Sequence, residues 1–211
     1  MSTRPGFRRK RLASIPIWLW LLLVGVAHSQ GTLATLTFDE FTLTSPGDTV
    51  PVPNGYGNLQ WDNFYILNGL RSAQHPSGFE NALVSPDNFI WNGNANPAQI
   101  SSVTTFDLNS AYMTADWMDG LQIEAQGFVG GTLQYDNTYT INTTSPTLVT
   151  FNYFGVNQVT FIGSGGTQHL GYNGSGPAFA IDNMTVRAPE PSAISLSLLA
   201  MACVSVISRR R

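Results

Sequence analysis

Away from its two apolar ends, the chain holds no eleven-residue stretch with apolar side chains at the 3.6-residue spacing of a helix. Instead, short runs rich in Thr, Val, Ile, Phe and Tyr recur at 33–41, 59–67, 81–85, 100–108, 121–128, 132–141, 147–153, 158–162 and 178–186, between clusters of Gly, Asn, Pro and Ser. Several of them alternate. Leu121, Ile123 and Ala125 interleave with Gln122, Glu124 and Gln126, and Val159 and Phe161 with Gln158 and Thr160. Phe179 and Ile181 likewise interleave with Ala180 and Asp182. A period of two turns one set of side chains into a core and the other toward water. Many short strands at even spacing predict an all-β fold, a single β-sandwich or jelly-roll domain. Gly130-Gly131, between two such runs, predicts a hairpin turn.

Both ends of that domain are marked in the sequence. Pro189-Glu190-Pro191 cannot continue a strand or a helix, because each proline fixes φ and lacks an N–H. Beyond it lies a mostly apolar run from Ala193 to Ile207, then Arg209, Arg210 and Arg211. The run is short for a bilayer crossing, which takes about 20 residues, but terminal arginines favour the cytoplasmic side. At the other end Arg8-Arg9-Lys10-Arg11 precedes an apolar run and then Ala27-His28-Ser29, the layout of a secretory signal peptide over 1–29. The folded domain is therefore expected over 30–188, with a sorting or anchor segment over 189–211.

Removing the ends exposes an acidic domain. Residues 30–188 hold twelve Asp and Glu against Arg71 and Arg187, with no lysine, a net charge of −10. Nucleic-acid binding, which needs basic side chains to neutralise phosphates, is excluded on that ground, and cations become the natural small partners. The one cysteine, Cys203, lies in the apolar tail, so the domain has no disulfide and no thiolate chemistry.

The order Pro-Glu-Pro, apolar helix, terminal arginines resembles the PEP-CTERM sorting signal of exported bacterial proteins. The resemblance rests on Pro189, Glu190, Pro191, Arg209, Arg210 and Arg211. It implies an exosortase-like processing enzyme and signal peptidase as partners. It also implies transient anchoring in the inner membrane through the C-terminal helix, and a destination at the cell surface or extracellular matrix of a Gram-negative bacterium. Leu36-Thr37-Phe38-Asp39-Glu40-Phe41, the block from Asn54 to Phe64, and Phe179 to Val186 are similar to jelly-roll domains that precede such tails. That likeness implies a sandwich of the carbohydrate-binding-module kind.

The residues limit the chemistry of the domain. A serine triad would have only His75 and His169 as bases and has no Gly-x-Ser-x-Gly elbow, and neither histidine has a ligand-spaced partner for zinc. A glycosidase needs two carboxyl groups about 5 to 10 Å apart. Asp116 and Asp119, flanking Trp117, are the best local pair, although Asp, Asp and Gly around a Trp commonly make a turn. No catalytic residue is assigned. Calcium takes six to eight oxygens, and adjacent first and last strands would bring Asp39 and Glu40 beside Asp182 and Asn183. Sugars stack on aromatic faces and bond to amides. Tyr56, Trp91, Asn92, Asn94 and Trp117 are the candidates, with Trp91 expected in an exposed Asn- and Gly-rich loop. The sequence thus predicts a non-enzymatic surface or matrix protein associating with extracellular polysaccharide, with Ca²⁺ as a structural ion. A polysaccharide hydrolase and a purely structural surface protein are the alternatives.

Overall fold

The computed structural model describes residues 31–45, 47–69 and 76–188. The signal-peptide stretch, His75, Arg71 and the sorting motif at Pro189, Glu190, Pro191, Arg209, Arg210 and Arg211 lie outside the described residues. Among the described residues no helix is long and apolar enough to cross a membrane.

The strands are β1 Leu33–Leu36, β2 Thr49–Pro51, β3 Gln60–Asp62, β4 Phe64–Asn68, β5 Asn88–Asn92, β6 Ala98–Ala115, β7 Met118–Asp119, β8 Leu121–Val129, β9 Thr132–Ile141, β10 Thr147–Ser164, β11 Thr167–Gln168 and β12 Phe179–Arg187. Two of them, β6 and β10, are 18 residues long and serve both layers of a sandwich. Their halves pair with different neighbours. Met113 to Leu108 of β6 lie between Thr147–Tyr153 of β10 and strand β12, in a layer that continues through β5, β4 and β2. Ala98 to Ser101 of β6 lie between β3 and Gln158–Phe161 of β10, in a layer that continues through β8 and β9.

The change of layer takes place at bulges. The β10–β6 register shifts between Thr150 and Gln158. In that stretch Asn152 and Gly155 have positive φ, 53° and 67°. An extra residue in one strand bends it and increases its twist, and Gly155 reaches left-handed backbone without steric cost. Its N–H bonds to Asp107 Oδ1 on β6 at 2.9 Å, which fixes the bend.

The alternation read from sequence holds where one face meets the core. Leu121, Ile123, Ala125, Val159 and Phe161 are all buried, and Gly130-Gly131 turns β8 into β9 with φ of 56° and 80°. In β12 Phe179 and Ile181 are buried, but Ala180 and Asp182, expected to face water, are buried as well, because that face is covered too. A chain of aromatic rings threads the core. Trp61, Phe64, Phe161, Phe151 and Tyr153 meet in succession edge to face, with centroids 5.7 to 5.9 Å apart, a geometry that adds about 1 kcal/mol per pair beyond area burial. As expected, the first and last strands pair, Leu36 opposite Met184.

Two expectations of local structure are corrected. Residues 81–85 form no strand; a 3-10 turn, Gly78–Asn81, caps the segment through Ser77, whose hydroxyl accepts the Phe79 N–H. This turn sits on the outer face of the β4–β5–β12 layer and closes a second core of Leu67, Phe79, Ala82, Phe89, Ala178 and Ala180. With both faces covered, β5 has no alternation to read, and a strand stands where the Asn-rich composition suggested a loop.

Candidate functional site

The aromatic and acidic candidates fall in three places, and only one of them combines open rings with fixed polar groups. Trp91 is a strand residue of β5 and not a loop residue. It packs edge-on to Phe79 at 6.0 Å, lies against Tyr65 at 6.0 Å, and its indole N–H bonds to Thr49 Oγ1. It is half-buried at the rim of the second core. Asn92 is fully buried, accepting the Phe179 N–H at 2.7 Å and donating to the Asn96 carbonyl at 2.9 Å. It substitutes for missing backbone partners and offers nothing to a sugar. Asn94 is an exposed turn residue with φ of 54°. Tyr56 packs on Phe38, Phe41 and Trp61, and its hydroxyl accepts the Phe38 N–H. The glycan-binding set of Tyr56, Trp91, Asn92, Asn94 and Trp117 is therefore dispersed, and its two most enclosed members are structural.

The expected calcium ligands are also redistributed. Asp182 is fully buried, and its carboxylate accepts the Val84 N–H at 2.7 Å, the Ser85 N–H at 3.0 Å, the Asn183 N–H at 2.7 Å and the Ser85 hydroxyl at 3.3 Å. Four donors occupy the four acceptor positions of a carboxylate, leaving none for a cation. Burial pushes the Asp182 carboxyl upward and the Asp39 carboxylate adds to the effect, against the three N–H donors. Asp39 itself receives the Asn88 N–H, Asn183 the Ser85 hydroxyl, and Glu40 reaches the Tyr56 hydroxyl. Among the described residues no three His, Cys, Asp or Glu side chains stand close enough to hold a metal ion. Asp39, Asp182 and Asn183 clamp the 84–88 segment to the turn after β1 and to the last strand, Glu40 faces Tyr56, and as arranged the set does not fit calcium.

The remaining place is the end of the sandwich where the 116–120, 142–146 and 165–178 loops meet. There β7 pairs with β11, Thr167 opposite Asp119, and the His169 N–H bonds to the Trp117 carbonyl. The strand pair sets Trp117, Asp119 and His169 side by side. Asp119 accepts the Thr143 hydroxyl at 2.6 Å and backbone N–H at 3.3 Å through Oδ1, and meets His169 Nδ1 at 2.7 Å through Oδ2. The Thr143 bond, then the imidazole, hold its carboxyl below the usual carboxylate range. With Nδ1 engaged by Asp119, Nε2 is the ring nitrogen left to meet a ligand. Tyr172 lies tilted over His169 at 4.2 Å and edge-on to Trp117 at 6.5 Å, while the Gly174 backbone rests on the indole, where a Cβ would come within 2.2 Å. All four side chains are half-buried, and Leu170 beside them is almost fully exposed.

Asp116, the other half of the sequence pair, does not share this place. It is buried, hydrogen-bonded to Ser77 and to the Phe79 backbone, and burial raises its carboxyl to about 7. Sequence reasoning found Trp117 and Asp119 and missed His169 and Tyr172. The only signal was their spacing of three within a Gly- and Asn-rich loop.

Fold and loop site together define an all-β sandwich with an aromatic and carboxylate rim at one end. No family model matches the chain, and no curated protein matches it. Among solved structures, it is similar to a DUF4465 family protein from Bacteroides caccae at 11% identity and a TM-score of 0.52, over 75% of this chain and all of that one. A DUF4465 family protein from Bacteroides ovatus gives 10% identity and a TM-score of 0.44, over 74% of this chain and 94% of that one. The N-terminal CBM22 tandem domain of Paenibacillus barcinonensis Xyn10C gives 12% and 0.39, with 80% of this chain on half of that one. The first of these shows the sandwich fold.

Proposed function

We propose that this is a non-enzymatic, exported binding domain that associates with extracellular polysaccharide through the Trp117, Tyr172, His169 and Asp119 rim. The observation that carries the reading is the rim itself. Half-open aromatic rings stand next to an imidazole and a carboxylate locked in place by Thr143, offering apolar surface and oriented acceptors together. Sugar rings present the same combination, C–H faces and hydroxyl donors. Hydrolysis is disfavoured, since Asp116 is enclosed beneath Ser77 and both Asp119 oxygens are engaged. Export and sorting to the surface or matrix rest on the two ends of the sequence.

A glycan array probed with the 31–188 fragment tests the binding role. Tyr172→Ala should weaken retention at least fivefold, the effect of about 1 kcal/mol, while leaving the melting curve unchanged. A parent fragment that holds no glycan would leave the purely structural reading. For sorting, replacing Pro189, Glu190 and Pro191 together with alanine should give a longer product retained in the membrane. Release of that variant at the parent's size would remove the exosortase-like step.

A further inference from the structure

Strand β9 closes one layer of the sandwich and has a partner on one side only. All of its residues but the bulged Gln134 pair with β8, from Leu121 opposite Ile141 to Val129 opposite Thr132, and no described strand pairs with its other edge. Alternate residues of such a strand turn their N–H and C=O groups away from the sheet. Most of β9 is exposed, and the strand contains no lysine, no proline and one acid, Asp136. Long edges normally carry a charge, a proline or a bulge that blocks pairing. Here the only register shift falls at the turn end, between Gly127 and Phe128, so the pairing of Tyr135 through Ile141 is regular.

The strand is also held stiffly. Tyr135 stacks on Tyr153 at 4.5 Å, Tyr139 meets Phe151 edge-on at 5.1 Å, and Asn137 donates to the Tyr153 hydroxyl at 3.0 Å. Beside it Phe154 is 55% exposed, its N–H and C=O both on the Tyr135 hydroxyl, and Leu133 is 45% exposed. An open ladder and exposed apolar groups share this side of the molecule.

The β9 sequence is self-complementary. In an antiparallel pair of identical strands, directly opposed residues share a face, so a two-fold axis must pass through a residue. An axis at Asp136 sets two carboxylates face to face. Moved to Asn137, it places Tyr135 opposite Tyr139 and Asp136 opposite Thr138 of the second copy, all within the regular stretch, with no like charges in contact. We propose that β9 is a self-association edge. Two copies pair through it antiparallel about an axis at Asn137, joining their β8–β9 layers into one continuous sheet and covering Phe154. Because β8 and β9 carry Glu124 and Asp136, and neither they nor β10 holds a basic side chain, the pair forms against its own local charge, and salt tightens it.

Sedimentation of the full-length chain in a non-ionic detergent, from about 1 µM to about 100 µM, tests this. The parent should dimerise, and more tightly as NaCl rises from about 10 mM to about 150 mM, where the Debye length shortens from about 30 Å to about 8 Å. Thr138→Asp sets acids opposite Asp136 at both ends of the axis and should abolish the dimer. Adding Asp136→Lys to it should restore the dimer through opposite charges, which separates this edge from any association of the apolar termini. In a Cys203→Ser background, Asn137→Cys should give a disulfide-linked dimer on oxidation, and Gln60→Cys on β3 should not. A parent that stays monomeric, a dimer that survives Thr138→Asp, or an Asn137→Cys protein that cross-links no more than Gln60→Cys would each overturn the proposal.

Discussion

Buried polar side chains do in this domain what an uninterrupted ladder does elsewhere. Asn88 donates to the carbonyls of Phe38 and Phe41, Asn92 accepts the Phe179 N–H, and Asp182 collects the N–H groups of 84, 85 and 183. The same residue types that suggest a sugar or calcium site in the sequence are consumed by the backbone. Trp91→Ala should accordingly lower stability by about 2 to 4 kcal/mol, since it removes a ring packed on Phe79 and Tyr65, and chemical denaturation will measure it. Trp61→Ala, at the core, should cost about 3 to 5 kcal/mol. Asp116 gives a pH dependence. Its folded pKa, about 7, lies above the ordinary carboxyl value, so the native state holds the extra proton, and stability present in acid is lost as pH rises toward 7. Asp116→Asn should remove that slope and stabilise the protein at pH 8 by about 1 to 3 kcal/mol, in urea melts at pH 5 and pH 8. An unchanged slope would mean that Asp116 is not the group responsible.

At the scale of elements, the sandwich depends on two strands long enough to change layers. β6 and β10 do so where their register slips, and Gly155 reaches its φ of 67° without the steric cost a Cβ would add. No atom lies within 4 Å of a Cβ built there, so Gly155→Ala tests backbone conformation alone. It should cost about 1 to 2 kcal/mol in denaturant melts, whereas Gly165→Ala, in the loop after β10, bears on the same conformation without the layer change. The alternating strand β8 and the second half of β10 were legible in the sequence, because each has one wet face, and β9 was legible as a run of β-branched and aromatic residues. β5 was not. The turn Gly78–Asn81 covers its outer face, so Phe89, Ile90 and Asn92 are all buried and the period of two disappears.

For the 30–188 domain as a whole, whose net charge is −10 where that of the full chain is −3, the excess of acids sets the response to ions. With Asp182 saturated by donors, cations act on the net charge of −10 and not through a cage at the first and last strands. Melting temperature should therefore rise modestly with Ca²⁺, Mg²⁺ or added NaCl alike, and the rise should survive Asp182→Asn. A rise given by Ca²⁺ and by neither of the others would reinstate a specific site.

The sequence by itself determined the class of fold and the charge of the 30–188 segment, because period-two burial and residue counts are local properties. It also marked Trp117 and Asp119. The assembly of the rim was decided by tertiary structure alone. Thr143 and His169 reach Asp119 from two other loops, 24 and 50 residues away along the chain, Tyr172 packs on His169 and Trp117, and only the closing of the sandwich brings them together. The fate of the asparagines was settled the same way, since composition cannot tell an amide that faces water from one that completes a buried backbone ladder.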